Sequence, residues 1–182
     1  MKVKSLTLAA LFTALMIAGA YISLPTPIVP ITFQPFFSVL AGTVLGPKLA
    51  SMAMGAYIAI GLAGVPVFAG FTGGIGKVLT PTFGFILGFL AAAALAGLIT
   101  ERSGAGYAKI ASASAAGIAA IYAIGVPYMY FVFTLVSGRD VTLAAAAAAM
   151  IPFFVKDIVL ALAASGIAVR IIPISRRLVR QQ

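Results

Sequence analysis

The sequence predicts an all-α integral membrane protein of about six transmembrane helices. Three observations predict this fold class: 63% of the residues are hydrophobic, only 8% are charged, and the mean hydropathy is +1.18. A water-soluble domain needs far more charge on its surface. Because each span takes roughly 20 apolar residues, we expect residues 1–182 to form a single membrane domain with no soluble domain beside it.

The composition also excludes several classes of function. The chain has no Cys, no His and only three acidic residues, so the commonest metal ligands and the commonest general base are missing. We therefore expect no catalytic residue, no metal and no cofactor. The net charge of +9 fits Lys and Arg that flank membrane spans, and no basic stripe with interleaved aromatic residues predicts a nucleic-acid partner.

The first span is predicted over Ser5–Leu24. Its basic start resembles a signal peptide, but the many later apolar segments favour a first transmembrane helix. Ala10, Ala14 and Ala18 recur every four residues and share one helix face, which lets another helix approach closely. That face serves either packing within this chain or docking to a partner subunit, and the pattern alone leaves both interpretations open.

A proline-rich loop follows the first span. Leu24–Pro35 holds four prolines in twelve residues, which imposes an extended path with few N–H donors. Gln34 ends this loop and either bonds its backbone or contacts a ligand. The second and third spans are predicted over Phe36–Leu45 and Leu49–Gly64, and the second is short for a full crossing.

The stretch Pro66–Phe85 is the most unusual part of the chain. It carries five glycines and two prolines among bulky apolar residues, so it cannot form one regular helix. Irregular backbone in a membrane persists only when it is buried in protein or lines a wet cavity. We therefore expect this glycine-rich stretch to cover a small-molecule site.

Three further spans are predicted over Phe83–Ile99, Tyr107–Val136 and Pro152–Ile171. The second of these is long for one crossing, and Pro127 is expected to kink it. Tyr128 follows the kink, where it either anchors at the membrane interface or stacks on a ligand.

The positions of the basic residues predict the orientation in the membrane. Most of them fall on one side of the predicted layout: Lys2, Lys4, Lys48, Arg102, Lys109, Arg170, Arg176, Arg177 and Arg180. Only Lys77 and Arg139 fall in loops on the other side. By the positive-inside rule both termini are cytoplasmic, and the proline-rich loop and glycine-rich stretch share the external face.

Lys156 and Asp157 are charged residues near the external end of the last span. A charge inside a span is costly and usually functional. Adjacent helical residues point about 100° apart, so Asp157 is expected to face a cavity while Lys156 extends to the interface or to the ligand. Lys77 either meets an anionic ligand group or pairs with Asp157, which would fasten the loop to the last span.

The glycine-rich stretch encodes no nucleotide site. Val78 follows Gly76 and Lys77 where a P-loop needs Ser or Thr, so ATP-driven transport would require another subunit. The stretch instead offers backbone amides, hydroxyls and aromatic rings to a ligand. Its candidate contacts are Phe71, Thr72, Gly73, Gly74, Lys77, Thr82 and Phe85. Together with one carboxylate, these groups suit a small amphipathic ligand that is bound rather than chemically changed.

Several segments in order resemble the BioY family, the biotin-specific S components of energy-coupling-factor (ECF) transporters. They are Pro27–Gln34, Leu40–Lys48, Gly64–Gly70, Thr72–Gly74, Pro81–Phe85 and Pro152–Asp157. The resemblance covers about Ala10 to Ile171 and implies a six-helix protein of a prokaryotic cytoplasmic membrane that captures biotin from outside. It also implies a transmembrane coupling subunit and two cytosolic ATPase subunits as partners.

The resemblance also bears on individual residues. It favours docking for the Ala10 and Ala14 face, and it implies binding roles for Gln34, the Thr72–Gly74 turn, Thr82 and Asp157. Leu160 departs from the pattern, because many members carry Lys there. The same scaffold could serve another vitamin, and a membrane-embedded enzyme or assembly factor is a further alternative that the scarcity of acids disfavours.

Overall fold

The computed structural model describes residues 3–180, with side chains described through Ser175. It is almost entirely helical. The α-helices are α1 (Val3–Tyr21), α2 (Gln34–Leu45), α3 (Pro47–Leu62), α4 (Phe83–Ser103), α5 (Tyr107–Phe131), α6 (Leu143–Ala149) and α7 (Ile151–Arg180). Lys2 and the side chains of Arg176, Arg177 and Arg180, which entered the charge count, lie outside the described part.

Within that part, four helices are long and apolar enough to cross a membrane. They are α1, α4, α5 with its continuation to Val136, and α7 from Ile151 to Ser175. The apolar helices α2 and α3 are shorter, at 12 and 16 residues. At 1.5 Å per residue, α2 is roughly 18 Å long, which is less than the hydrocarbon core of a bilayer.

Small residues allow the central helices to pack closely. Helix α4 lies along α5 and also contacts α2 and α3. A Cβ atom at Gly42 in α2 would collide with the backbone of Ala93 in α4. One at Gly88 in α4 would collide with the backbone of Ile121 in α5. Close backbone approach at glycine is a usual means of packing helices in membranes.

The proline-rich loop forms a short antiparallel hairpin. Strand β1 is Ser23–Leu24 and strand β2 is Ile31–Thr32, with Ser23 opposite Thr32. The N–H of Phe33 donates to the carbonyl of Gly19 at the end of α1 (3.1 Å). The extended path expected from the prolines is therefore present, and it is fixed against α1.

The glycine-rich stretch contains no α-helix before Phe83, where α4 begins, and its composition predicts this irregular path. A 3₁₀ turn spans Ile75–Leu79, and Phe68 pairs with Thr72 as an isolated bridge. Gly74 has a φ of +94°, which favours glycine, and its N–H donates to the carbonyl of Gly61 in α3 (2.7 Å). Backbone groups of the stretch thus find partners on the scaffold.

The helices depart from the predicted spans in several details, and α1 already ends at Tyr21 rather than at Leu24. Helix α4 continues through Glu101 and Arg102 to Ser103, because two charges at its end can reach water without ending the helix. Helix α5 runs through Pro127 and continues as a wider π-helical turn over Val132–Val136. Helix α7 extends nine residues past the predicted end, from Ile171 to Arg180.

Candidate ligand-binding site

Two adjoining cavities lie beneath the hairpin and the glycine-rich stretch. The first has a volume of about 150 Å³, and the second has a volume of about 30 Å³. They share one wall, formed by Val29, Pro30, Thr32, Phe85 and Phe89. The first reaches α2 and the glycine-rich stretch, whereas the second reaches α5 and α7, so together they form one elongated site with an apolar middle.

Asp157 supplies the acidic group of the second cavity. Its side chain is 3% exposed, and Lys156 Nζ lies 2.5 Å from its Oδ1. At this distance the Lys156 ammonium is the ionic partner of Oδ1, and no other donor reaches this oxygen in the described part of the chain. Lys156 Nζ also donates to the carbonyl of Thr32 in β2 (3.0 Å). A carboxylate oxygen can accept more than one hydrogen bond, so Oδ1 can also accept from an N–H group of a ligand.

Tyr122 in α5 holds the other oxygen of this carboxylate. Its hydroxyl donates to Asp157 Oδ2 at 2.6 Å. The Tyr122 ring packs edge to face against Phe85 in α4 (5.8 Å between centroids) and Phe154 in α7 (5.1 Å). Aromatic pairs in this arrangement stabilise a fixed ring position. The orientation of Asp157 is therefore set by three helices.

The first cavity carries a different set of polar groups. Gln34 is 3% exposed and its Nε2 donates to Tyr57 Oη in α3 at 2.6 Å. Thr72, Lys77 and Thr82 complete the polar lining of this cavity. Amide, hydroxyl and ammonium groups are placed here around apolar walls, which is the usual composition of a small-molecule site.

A larger cleft of about 380 Å³ lies between α5, α6 and α7. Its lining is apolar except for Tyr122, whose hydroxyl is directed to Asp157. A polar ligand gains no specific contact there, so the paired cavities are the candidate site.

Comparison with known proteins now adds to this geometry. A family model described as the BioY family matches residues 1–177 of the chain. This chain belongs to the BioY family. Helices α1 through α7 all lie within or begin within the matched region, so BioY membership applies to the whole site described above.

Curated BioY relatives match over nearly their full length. The "Probable biotin transporter BioY" of Pyrococcus horikoshii is 42% identical over 171 residues, which cover 94% of this chain and 98% of the relative. The "Biotin transporter BioY" of Thermotoga maritima is 36% identical over 168 residues, with 92% and 95% covered. The chain is therefore similar in extent as well as in sequence to proteins named as biotin transporters.

A solved structure supports the same BioY assignment. It is a crystal structure at 2.1 Å of the S-component for biotin from an ECF-type ABC transporter. The match has a TM-score of 0.71 at 26% identity, and it covers 99% of this chain and 92% of the other. The two chains therefore share a fold from end to end.

Most residues predicted to bind a ligand in this BioY protein line the two cavities. They are Gln34, Thr72, Lys77, Thr82 and Phe85 in the first, and Phe85, Lys156 and Asp157 in the second. Lys156 contacts Asp157 and the carbonyl of Thr32 in β2 rather than extending to the interface. Lys77 and Asp157 line different cavities and form no ion pair within residues 3–175.

The other predicted residues contact the scaffold instead. Phe71 is 65% exposed and packs on Tyr21. The N–H of Gly74 is already used by Gly61, and Gly73 lies so close to Val65 that a Cβ atom would collide with its carbonyl. Direct ligand contact by Phe71, Gly73 and Gly74 stays a prediction.

Tyr128 also has a scaffold contact. Its hydroxyl donates to the carbonyl of Val78 in the 3₁₀ turn, and its ring packs near Phe83. Neither cavity includes it in its lining, so stacking on a ligand remains a prediction for Tyr128 as well.

The alanine face of α1 lies on the outside of the protein. Ala10, Ala14 and Ala18 are all exposed, whereas Phe12 and Met16 are buried against the neighbouring helices. The alanines are therefore not used for packing within the chain. This observation favours the docking interpretation over the packing one.

Sequence reasoning missed two tyrosines that support the site. Tyr57 and Tyr122 lie among apolar residues in their helices and resemble ordinary core aromatic residues. A hydroxyl inside an apolar segment needs a hydrogen-bond partner, and the few candidates near the external side included Gln34 and Asp157. This need for a partner is the feature of the sequence that could have identified both tyrosines as site residues.

Proposed function

We propose that this chain is the biotin-binding S component of an ECF-type transporter. In this proposal residues 1–182 form one domain in the cytoplasmic membrane of a prokaryote, and the domain captures biotin from the external side. The observation that carries the proposal is the buried Asp157 carboxylate, which lines a cavity and whose Oδ1 is contacted by Lys156 alone among the donors of the described residues. The activity is binding and transport, without bond-making by this chain.

The chemistry of the second cavity matches a cyclic urea. A ureido ring presents N–H donors and one carbonyl acceptor. Asp157 Oδ1 would accept from a ring N–H, and Lys156 would donate to the ring carbonyl. Because Lys156 Nζ has three N–H groups and, among the described residues, contacts Asp157 and Thr32 alone, one donor remains for the ligand. The apolar wall that includes Phe85 and Phe89 suits the rest of the ligand.

The size of the cavities implies that their shared wall moves when ligand binds. Their volumes are about 150 Å³ and 30 Å³, whereas sites for small molecules are usually roughly 300–1,000 Å³. Val29 and Pro30 belong to the hairpin between β1 and β2 and form part of the wall. We expect this hairpin to shift outward as the two cavities merge around the ligand.

The proposed topology places six spans in the membrane with both termini in the cytoplasm. The four long apolar helices would be joined by α2 and α3 as the two short spans. Lys4, Lys48, Arg102 and Lys109 would then lie on the cytoplasmic side, which agrees with the positive-inside rule. The hairpin and the 3₁₀ turn would face outward, where biotin arrives.

Equilibrium binding of labelled biotin to the detergent-purified protein tests the function. We expect saturable binding at one site per chain, with displacement by unlabelled biotin and none by thiamine or riboflavin. Displacement by thiamine or riboflavin alone would indicate an S component for a different vitamin. Recovery of a chemically altered ligand would instead indicate an enzyme.

Transport would require partners, because the chain has no nucleotide-binding motif. We propose a transmembrane coupling subunit, docked on the exposed face of Ala10, Ala14 and Ala18, and two cytosolic ATPase subunits. Small residues on this face would allow a partner helix to approach closely.

Ala14→Glu tests this docking face. A charged side chain in a helix–helix contact within the membrane is strongly unfavourable, so we expect the variant to bind biotin normally but to lose the partners. Co-purification of the complex measures the loss. Ala119→Glu places the same charge on the exposed face of α5 and serves as the matched control. An intact complex with Ala14→Glu would show that α1 does not dock there.

A further inference from the structure

The larger cleft between α5, α6 and α7 suits an apolar molecule. Its volume is about 380 Å³, and none of the described residues along its walls carries a charge. The one polar side chain among these residues, Tyr122, directs its hydroxyl to Asp157. A water molecule in the cleft would lack the several polar partners that hold buried water. A hydrocarbon is therefore the fitting occupant.

The cleft opens sideways between two membrane spans. Helices α5 and α7 are both long enough to cross a membrane. Helix α6 has seven residues and a length of roughly 10 Å, so it fills only part of the space beside them. Leu143 of α6 and Ile151 of α7 line the cleft and are 48% and 60% exposed. An apolar opening at this place faces lipid acyl chains, because these are the hydrocarbons of the bilayer.

Helices α5 and α7 are joined by hydrogen bonds on one side of the cleft. The side-chain hydrogen bonds between them in the described part of the chain pair Tyr107 with Leu162, Ser114 with Ser165, and Tyr122 with Asp157. From Tyr122 to the external end of α5, no further side-chain hydrogen bond joins the two helices within residues 3–175. The cleft lies at these unjoined ends, where an apolar occupant would add packing contacts.

The cleft shares a wall with the candidate biotin site. Tyr122 and Met150 line both the cleft and the second cavity. Phe154 also lines the cleft, and its ring packs edge to face on Tyr122 (5.1 Å between centroids). The Tyr122 hydroxyl donates to Asp157 Oδ2 at 2.6 Å. A molecule in the cleft would therefore contact the same ring that orients the carboxylate.

We propose that the cleft binds one acyl chain of a membrane phospholipid and that the bound chain holds Tyr122 in the orientation that supports Asp157. Tyr122 then connects a lipid site with the biotin site. Each ligand strengthens binding of the other by the same factor, because coupling between two sites is reciprocal. The effect on biotin rests on the proposed function, whereas binding of the acyl chain does not.

A phosphatidylcholine with a photoreactive diazirine in its acyl chain tests the lipid site without biotin. It is added to protein purified in a rigid steroid detergent, which has no long alkyl chain. We expect cross-links, mapped by mass spectrometry, to concentrate on the walls of the cleft. Ala147→Phe places a ring in the cleft from α6, so it should lower these cross-links at least about fivefold. Ala148→Phe, at the next exposed residue of α6 and outside the cleft lining, is the matched control and should keep them.

The Kd for labelled biotin, with and without added phosphatidylcholine, measures the coupling. We expect the phospholipid to lower this Kd at least about fivefold in wild type and equally in Ala148→Phe. In Ala147→Phe the Kd should no longer respond, because the phenylalanine ring replaces the acyl chain. Ala147→Leu takes its place if the phenylalanine variant does not fold. Tyr122→Phe removes the hydroxyl that contacts Asp157, so its Kd should lose most of the response.

Three results would overturn the proposal. Cross-links that are spread evenly along α5 and α7, or that Ala147→Phe leaves unchanged, would show that the cleft holds no acyl chain. A dimer in the same detergent that Ala147→Phe prevents would show that a second copy of the chain covers the cleft. A biotin Kd that is indifferent to phospholipid would show that the two sites are not coupled. If wild type does not bind biotin, the proposed function fails, while cross-links confined to the cleft would still support the lipid site.

Discussion

The two ends of the candidate site are built in different ways. The Asp157 end stands on regular helices, where Tyr122 and Lys156 contact the carboxylate from α5 and α7. The Lys77 end stands on irregular backbone that is tied to its surroundings by single hydrogen bonds. The helical end depends on side chains that meet a buried charge, whereas the other end depends on the path of the main chain. Substitutions should therefore damage them by different mechanisms.

The largest effect is expected at the helical end. Asp157→Ala removes the acceptor for the ligand and leaves Lys156 without its anion, so we expect the Kd for biotin to rise about a hundredfold. Titration of the purified Asp157→Ala variant with labelled biotin measures this Kd.

Asp140→Ala is the control for that substitution. Asp140 is exposed in the loop before α6, and its loss should leave the Kd unchanged. If Asp157→Ala binds biotin with wild-type affinity, the Asp157 carboxylate does not contact the ligand, and the proposed difference between the two ends of the site is wrong.

A backbone effect is expected at the irregular end. A Cβ atom at Gly73 would collide with the carbonyl of Val65 and approach that of Gly61. Overpacking of this kind costs about 1–3 kcal/mol, so Gly73→Ala should lower the midpoint of thermal unfolding and weaken biotin binding together.

Gly76→Ala is the matched control in the same stretch. A Cβ atom at Gly76 meets nothing within 4 Å, so the midpoint should not fall. If both variants unfold at the wild-type temperature, the contact between the glycine-rich stretch and α3 does not hold this end of the site.

The smallest effect is expected for Tyr122→Phe. The ring contacts with Phe85 and Phe154 remain, but Asp157 Oδ2 loses its donor. An unsatisfied acceptor of this kind costs about 1–3 kcal/mol, so we expect a roughly tenfold rise in the Kd for biotin.

Tyr107→Phe provides the comparison for Tyr122→Phe. Its hydroxyl forms a long hydrogen bond to Leu162 (3.5 Å) on the exposed surface, away from both cavities. Equal affinities of the two variants would show that Asp157 keeps its orientation without help from α5.

Sequence alone predicts the fold class and the charged residues of the site well, for physical reasons. Lys156 and Asp157 are conspicuous because charge is rare in an apolar span. The irregular path of Pro66–Phe85 follows directly from its glycines and prolines. These features are local, so they can be read without knowing which helices are neighbours.

Contacts between distant segments could not be predicted in this way. Lys156 and the Thr32 carbonyl are 124 residues apart, and no helical or strand periodicity relates them. Gly73 and Gly74 pack closely against α3 and the residues after it, a contact that the sequence does not indicate, and their contact with a ligand stays a prediction. Whether a glycine faces a cavity or a neighbouring helix depends on tertiary packing, which composition does not encode.

The hydrogen bond from Lys156 Nζ to the Thr32 carbonyl would compete with a hydrogen bond from the same amine to the ligand. It fastens the hairpin while the site is empty, and it would bind the ring carbonyl when biotin arrives. A ligand that draws the amine away would release the strand, so hydrogen exchange of the β2 amides would report occupancy without any label on biotin. Biotin binding and release of the hairpin would then occur together, because both depend on the ammonium group of Lys156.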